Sequence, residues 1–450
     1  MKYISTRKGD KKSFSKIIKN NMSSGGLYVP YFFPKIRKKL KKIKNYNFKD
    51  IVNYIFKIFL TKNEYKHYSI KKICNNIFKK KNFPLDKNIV SLKKIKKKLF
   101  LLKISNGKSF SFKDIAMCFI SKIFKYNIKK NVICATSGDT GSSCATFFSK
   151  NNKIKTFIFS PYNKISNFQF SQISSIIKKN IFNVKIKGNF DDCQKIVKDS
   201  LKNNFSTVNS INLIRILVQI SYYLFAFLKI RKKINFFIPT GNFGNAYSCF
   251  ILKKMGLPIK ITIITNENDM LYNFFSKGIY ENNRKTIKTD SPSMDISKSS
   301  NLERFIFSIF KNNKEVRNFF NKIKKKKILK ISKFKRIINC GKSVKGERKK
   351  IINFFFKKKK YIFDTHTSNA LAFYFKKKKN KENICILETA KSLKFLEEIN
   401  TFLDKDFNSY YIKKYNIDIK NFCLKRKKFF YFNYKDKNKI KNFINIYSKK

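Results

Sequence analysis

The sequence predicts an α/β fold, with largely parallel sheets flanked by helices. Three observations lead there. Strand-like and helix-like runs alternate through the middle of the chain. Two strand-to-helix junctions are glycine-containing turns, "SGDTG" (137–141) and "GNFG" (241–244). One long apolar run, "ILVQISYYLFAFLKI" (216–230), is short for a membrane span and carries Gln219 and Ser221, so it reads as a buried helix.

The elements follow in order. "NVICAT" (131–136) is β-rich, and "SGDTGSSCATFFSK" after it is a helix entered through a glycine turn. "KTFIFSP" (155–161) is the next strand, with a helical stretch from Ile165. "FNVKIKG" (182–188) is a strand closed by Gly188. A long helix begins near Ile211, with Asn209 or Ser210 as its cap. "INFFIPT" (234–240) leads into "GNFGNAYSCFILKKMGLP", where Gly256 and Pro258 end the helix, and "IKITIIT" (259–265) follows. Residues 1–80 are helix-rich and separate in pattern. Residues 81–400 hold the core as two α/β subdomains. Residues 401–450 are Lys/Asn/Phe-rich and nearly featureless. No internal repeat is present.

The length of 450 residues and 42% hydrophobic content fit two or three domains. Basic residues number 103 against 26 acidic, for a formal charge of +77. That balance points to nucleic acid only if the charge is focused. Here lysine is spread over the whole chain. Asn, Ile and Phe are inflated with it, Trp is absent, and Gly and Pro are scarce. A base-composition bias toward A/T-rich codons explains all of these together, so no specific nucleic-acid partner is expected. Nine scattered cysteines with no CxxC pair fit reduced thiols in the cytoplasm. His67 and His366 have no clustered ligands, so no metal site is expected. The N-terminal "MKYISTRKGDKK" has no apolar core of a secretory signal.

Four stretches carry chemistry. In "PTGNFGNA" (239–246), small residues between strand and helix let backbone N–H groups and a helix N-terminus face an anion. The pattern is not GxGxxG and suits a single phosphate better than a dinucleotide; alone it is equally a tight turn. "ATSGDTGSS" (135–143) repeats the arrangement, with Ser137, Asp139 and Thr140 able to meet a carboxylate or cofactor, or simply to cap a turn. "FSFKD" (110–114) sets Lys113 among apolar neighbours, where a desolvated amine becomes a nucleophile and base; a snorkelling surface lysine is the plain alternative. "NSINLIRILVQ" (209–219) puts Asn209, Ser210 and Arg215 near a helix start. Arg215 falls on the apolar side and needs an anionic partner, either an internal carboxylate or a substrate phosphate.

With these on one scaffold, the chain resembles the threonine synthases, pyridoxal-phosphate (PLP) enzymes of fold type II, the tryptophan synthase β-like fold. The matching blocks run in family order. They are "MKYISTR", "GGLYVP" (25–30), "SFKD" (111–114), "ATSGDTG" (135–141), "GNFDDCQ" (188–194) and "NSIN..R...Q" (209–219). They continue with "PTGNFGNA", "TNENDML" (265–271), "SPSMDIS.SSN.ER" (291–304), "DTHT" (364–367) and "ETA..LKF" (388–395).

The resemblance implies that 1–80 is the family's N-terminal domain and that Lys113 carries PLP as a Schiff base. It implies that Gly241, Asn242, Phe243, Gly244 and Asn245 hold the cofactor phosphate, largely through backbone N–H groups. Thr389 would face the pyridine nitrogen, and Ser137, Asp139 and Thr140 would lie by substrate and cofactor. Asn209, Ser210 and Arg215 are the candidates for the substrate phosphate. The activity implied is a carbon–oxygen lyase acting on a phosphate: O-phospho-L-homoserine and water give L-threonine and phosphate. Three positions depart from the family pattern near the expected site. They are Asn106 and Lys108 in "SNGKS" (105–109) and Lys391 in "TAKSLKF" (389–395). A related phospholyase or a threonine/serine dehydratase is the nearer alternative, and a dehydratase has no need for Arg215 with Asn209 and Ser210. A non-catalytic basic binding protein is the alternative of another class. A small-molecule substrate, no membrane, and a monomer or homodimer complete the expectations.

Overall fold

A computed structural model describes the chain apart from residues 21, 24, 25, 128, 129, 202–204, 283, 327, 378–381 and 450. Gly25, which opens the "GGLYVP" block, therefore lies outside the described residues.

The strands in chain order are β1 (Tyr3–Ser5), β2 (Lys11–Lys12), β3 (Met22–Ser23), β4 (Gly26–Pro30), β5 (Ser91–Lys96), β6 (Leu99–Lys103), β7 (Val132–Ala135) and β8 (Thr156–Pro161). Then come β9 (Ile181–Lys187), β10 (Ser206–Thr207), β11 (Ile234–Pro239), β12 (Ile259–Thr265), β13 (Ile279–Glu281), β14 (Ile328–Lys330), β15 (Asn339–Lys342), β16 (Asn383–Glu388) and β17 (Phe430–Asn433). A five-stranded sheet, β10-β7-β8-β9-β17, is parallel throughout. A six-stranded sheet, β15-β12-β11-β16-β6-β5, is parallel except for β5. The fold is α/β, as the β–turn–α units imply. Strands β8 and β11 are buried along their whole length, as helix-covered parallel strands are.

The long apolar run forms the helix Leu213–Ile230. Asn212 caps it through the N–H of Ile214, one turn later than expected at Asn209 or Ser210. By length and composition it could cross a membrane, but 83% of it is buried inside the protein. It packs against the helices Phe48–Phe59, Lys113–Asn127 and Gly244–Lys254.

The N-terminal region differs from its sequence reading in two ways. Strands β1 to β4 form an antiparallel sheet there, in the order β2-β1-β4-β3. Its helices also share the main core instead of building their own. Phe56 stacks on Phe119 at 4.4 Å between ring centroids, and Phe48 meets Phe225 edge-on at 6.3 Å.

The end of the chain is not featureless. Helices Leu396–Leu403, Asn408–Tyr415 and Ile419–Leu424 lie over Phe110, Phe168 and Leu393. Strand β17 then pairs with β9. The helix Lys437–Lys449 buries Ile440, Phe443 and Ile444 against Phe157 and Phe182.

Candidate active site

A cleft opens at the C-terminal ends of β7, β11 and β16, where parallel α/β sheets place their ligands. Lys113 is the first residue of its helix. The run before it is stitched to the segment after β16. The N–H of Phe112 donates to the Thr389 carbonyl at 2.9 Å, and that of Lys391 to the Phe110 carbonyl at 2.9 Å. Asp114 fixes the bend by accepting from the Ser109 N–H at 2.7 Å and from its hydroxyl. Sequence-distant Lys113 and Thr389 thereby line one cleft.

Lys113 is 9% exposed, and its Nζ donates to Asp139 Oδ2 at 2.9 Å. Burial lowers its proton affinity below the ordinary lysine value, against the pull of Asp139. Burial would raise Asp139, but the ammonium groups of Lys113 and Lys394 outweigh it and hold the carboxyl well below its usual range. Asp139 starts the helix Asp139–Phe148 through a turn at Gly138, whose φ of +122° and contact with Gln169 leave no room for a side chain. Ser137 and Thr140 flank it on the cleft wall.

The second turn, Gly241–Asn245, sits between β11 and the helix Gly244–Lys254. It is clamped from behind. Ser299 Oγ donates to the Gly241 carbonyl at 2.9 Å, Ser300 Oγ to Asn242 Oδ1 at 2.8 Å, and the Asn301 N–H to the Asn242 carbonyl at 3.1 Å. The Phe243 ring is buried against Phe275 and Phe305, so this residue offers the cleft its backbone. Asn245 Oδ1 is taken by the hydroxyls of Tyr222 and Tyr223, while its Nδ2 is buried with no partner. A Cβ on Gly241 would come within 2.6 Å of the Ser293 carbonyl. The turn is therefore a tight cradle of backbone donors at a helix N-terminus, suited to a phosphate.

Arg215 is 3% exposed and lines the same cleft. It donates through Nη1 to the Val208 carbonyl at 3.0 Å, its Nε is buried without a partner, and no carboxylate pairs with it among the described residues. Burial lowers it to about 10, so the guanidinium stays charged at neutral pH. The internal carboxylate left open by the sequence is thus absent among the described residues, and the charge faces the cleft.

The family models agree with this arrangement. The family described as "Threonine synthase N terminus" matches residues 2–78, and "Pyridoxal-phosphate dependent enzyme" matches residues 85–318. The threonine synthase of Methylobacillus glycogenes is 32% identical over 440 residues, spanning 89% of this chain and 91% of that one. This chain belongs to the threonine synthase family. Among solved structures, the yeast threonine synthase superposes with a TM-score of 0.87 at 28% identity, covering 99% of this chain and 98% of that one. The PLP-bound threonine synthase of Brucella melitensis gives a TM-score of 0.85 at 25% identity with full coverage of both.

The family's cofactor is PLP, and the residues present fit it: a buried lysine at a helix start, a glycine cradle for a phosphate, and Thr389 on the wall at the end of β16. Lys113, Ser137, Asp139, Thr140, Asn209, Ser210, Arg215, Gly241 to Asn245 and Thr389 all line the one cleft. Asn209 differs in kind from the other two phosphate candidates. Its amide is spent on the backbone of Ala135, so it positions more than it binds.

The three departures from the family pattern leave the cleft wall intact. Asn106 donates to the carbonyls of Asn88 and Ile89. Lys108 lines a separate hollow with Phe110 and Phe168. Lys391 is buried in an ion pair with Glu388, which also accepts from Ser105 at 2.8 Å.

Among the residues in or beside the cleft that the sequence did not assign to the site are Ser293, Met294, His366 and Lys394. The Ser293 hydroxyl donates to Asp139 Oδ2 at 3.1 Å, and its N–H donates to His366 Nε2 at 3.0 Å. Met294 lines the cleft next to them. Lys394 reaches Asp139 from behind. The blocks "SPSMDIS", "DTHT" and "LKF" contain these residues and were the available signal.

Proposed function

We propose that this chain is a threonine synthase that converts O-phospho-L-homoserine and water to L-threonine and phosphate. The observation that carries the reading is Arg215, a buried guanidinium without a carboxylate partner among the described residues, on the same cleft wall as Lys113. A serine or threonine dehydratase has no substrate phosphate to place there.

Bound PLP supplies the electron sink for a carbanion at the substrate's α carbon. Lys113 would hold the cofactor through its amine, which becomes free once substrate is bound. The freed amine, its proton affinity lowered by burial, then takes the α proton. Proton loss at Cβ, departure of phosphate from Cγ, protonation of Cγ, addition of water at Cβ with loss of its second proton, and return of a proton to Cα follow at neighbouring atoms and balance the reaction. Lys113 stays within reach of all of them. Arg215 and the Ser210 hydroxyl hold the substrate phosphate, and Arg215 balances its charge as it leaves. The backbone donors of Gly241 to Asn245 would hold the cofactor phosphate, and the Thr389 hydroxyl would be the partner for its ring nitrogen. Phe112, Phe190 and Met294 narrow the cleft against water. We place the enzyme in the cytoplasm as a monomer or homodimer; its nine cysteines are free thiols.

The test is phosphate release from O-phospho-L-homoserine by PLP-loaded protein, with threonine formed in equal amount and borohydride tagging Lys113. Lys113→Ala is expected to abolish turnover and tag together. Turnover surviving in that variant removes Lys113 from its role. Deamination of serine or threonine without phosphate release makes the chain a dehydratase.

A further inference from the structure

Asp139 receives two ammonium groups. Lys113 donates to Oδ2 at 2.9 Å, and Lys394 lies 3.1 Å from Oδ1. Lys394 is fully buried and is not among the residues that line the cleft. It donates to the Ser109 carbonyl at 2.7 Å, to Gln172 Oε1 at 3.0 Å and to Ser142 Oγ at 3.1 Å. Three elements therefore converge on one buried cation: the run that carries Lys113, the Asp139 helix and the helix Asn167–Ser174. Lysine is seldom buried so completely, and burying one is costly unless it is paired.

The charges around the pair are few. Lys113 faces Asp139, Arg215 and Lys394. Asp139 also feels His366, and it accepts from Gln169 Nε2 at 2.8 Å and from the Ser293 hydroxyl. Asp114, the second residue of the Lys113 helix, is raised by burial and feels Lys394. One carboxylate thus serves two lysines in a dry site. Among the described residues, Lys394 has four acceptors around it, whereas the one hydrogen bond of Lys113 goes to Asp139.

We propose that Lys394 is a positioning residue for Lys113: by holding one oxygen of Asp139 it keeps that carboxylate from fixing Lys113 as an ammonium, so the Lys113 amine is released as a base. The inference rests on the reading of Lys113 as the cofactor-bearing lysine. Its geometry is that of a charge relay, with Asp139 as the shared member and Lys394 as the fixed one. Removing the charge of Lys394 leaves Asp139 to Lys113, which then binds its proton more tightly.

Two readouts in the PLP-loaded enzyme test this. One is the pH titration of the bound cofactor's absorbance, and the other is the acid limb of kcat/KM for O-phospho-L-homoserine. In Lys394→Gln both midpoints are expected to move to higher pH by about one unit or more, the size a neighbouring charge produces. Lys394→Arg keeps the charge and is expected to return both toward wild type. Gln172→Glu gives Lys394 a carboxylate of its own and is expected to move both midpoints in the same direction, which keeps the test alive if Lys394→Gln does not fold. Unmoved midpoints in either folded charge variant, whatever the loss in kcat, make Lys394 a structural residue and overturn the inference. Failure of the underlying reading looks different: wild-type protein given PLP then shows no cofactor band and no borohydride tag at Lys113.

Discussion

Asn209 and Ala135 bond to each other twice. The Asn209 Nδ2 donates to the Ala135 carbonyl at 2.6 Å, and the Ala135 N–H donates back to Asn209 Oδ1 at 3.0 Å. The side chain thus imitates one more rung of sheet between the ends of β10 and β7. It ties the Ser137–Thr140 turn to the segment that leads into Arg215. Asn209→Ala is expected to cost about 2 kcal/mol of stability, at about 1 kcal/mol per bond. With the two walls loosened, kcat/KM is expected to fall about tenfold. Urea unfolding and steady-state kinetics check both. Full stability in the variant would show that the pairing does not hold the walls together.

Arg215 predicts an opposite balance. A buried guanidinium with one backbone partner is a burden on the free protein. Arg215→Met is expected to leave the stability of the ligand-free chain unchanged or raised by about 1 kcal/mol, while KM for the phosphorylated substrate rises about tenfold or more. With PLP bound, inorganic phosphate is expected to raise the melting temperature of the wild type and not that of the variant. A variant that loses stability and keeps its KM would take Arg215 out of the site.

Lys185 in β9 gives a stability prediction away from the cleft. Its Nζ donates to Ser160 Oγ at 2.9 Å and lies 4.2 Å from the centre of the Phe170 ring, and no carboxylate pairs with it among the described residues. Burial lowers it from 10.5 to about 7. The unfolded chain keeps that proton up to the higher value, so folding carries the full penalty below about pH 7 and sheds it as the pH rises toward 10.5. Lys185→Met is expected to stabilise the protein at pH 7 by roughly 2–4 kcal/mol, with the gain shrinking at pH 10. An equal gain at both pH values, in chemical unfolding, would mean that the lysine is not neutral in the folded protein.

Much of the fold was legible because the β–turn–α units are local. Val132–Ala135, Thr156–Pro161 and Ile234–Pro239 are apolar runs, and the first and last of them end at glycine turns. The cap of the long helix was misplaced because Asn209 looks like a cap, yet its amide is spent on Ala135 and Asn212 takes the helix end. Strand β17 was hidden because its Phe-Tyr-Phe-Asn lies among lysines and asparagines of the same kind as its surroundings. In the site, Lys113 and the glycine cradle stood out through their neighbours. Ser293 bonds to both Asp139 and His366, residues far from it in sequence, and such contacts leave no period in the sequence. Lys394 is one of 103 basic residues, and only its burial sets it apart.

The pairing of β17 with β9 has a consequence for how the chain is made. Strand β9 ends at Lys187, and the strand that covers its outer edge begins at Phe430, after every other strand has been synthesised. Through most of translation the sheet carrying the Asp139 turn has an open edge, and the rings of Phe157 and Phe182 lack their cover from Phe443. An open, apolar edge is a template for pairing with another chain. The nascent protein is therefore exposed to aggregation until Phe430–Asn433 and the helix Lys437–Lys449 arrive, and the dense lysine around them supplies mutual repulsion between neighbouring copies in that interval.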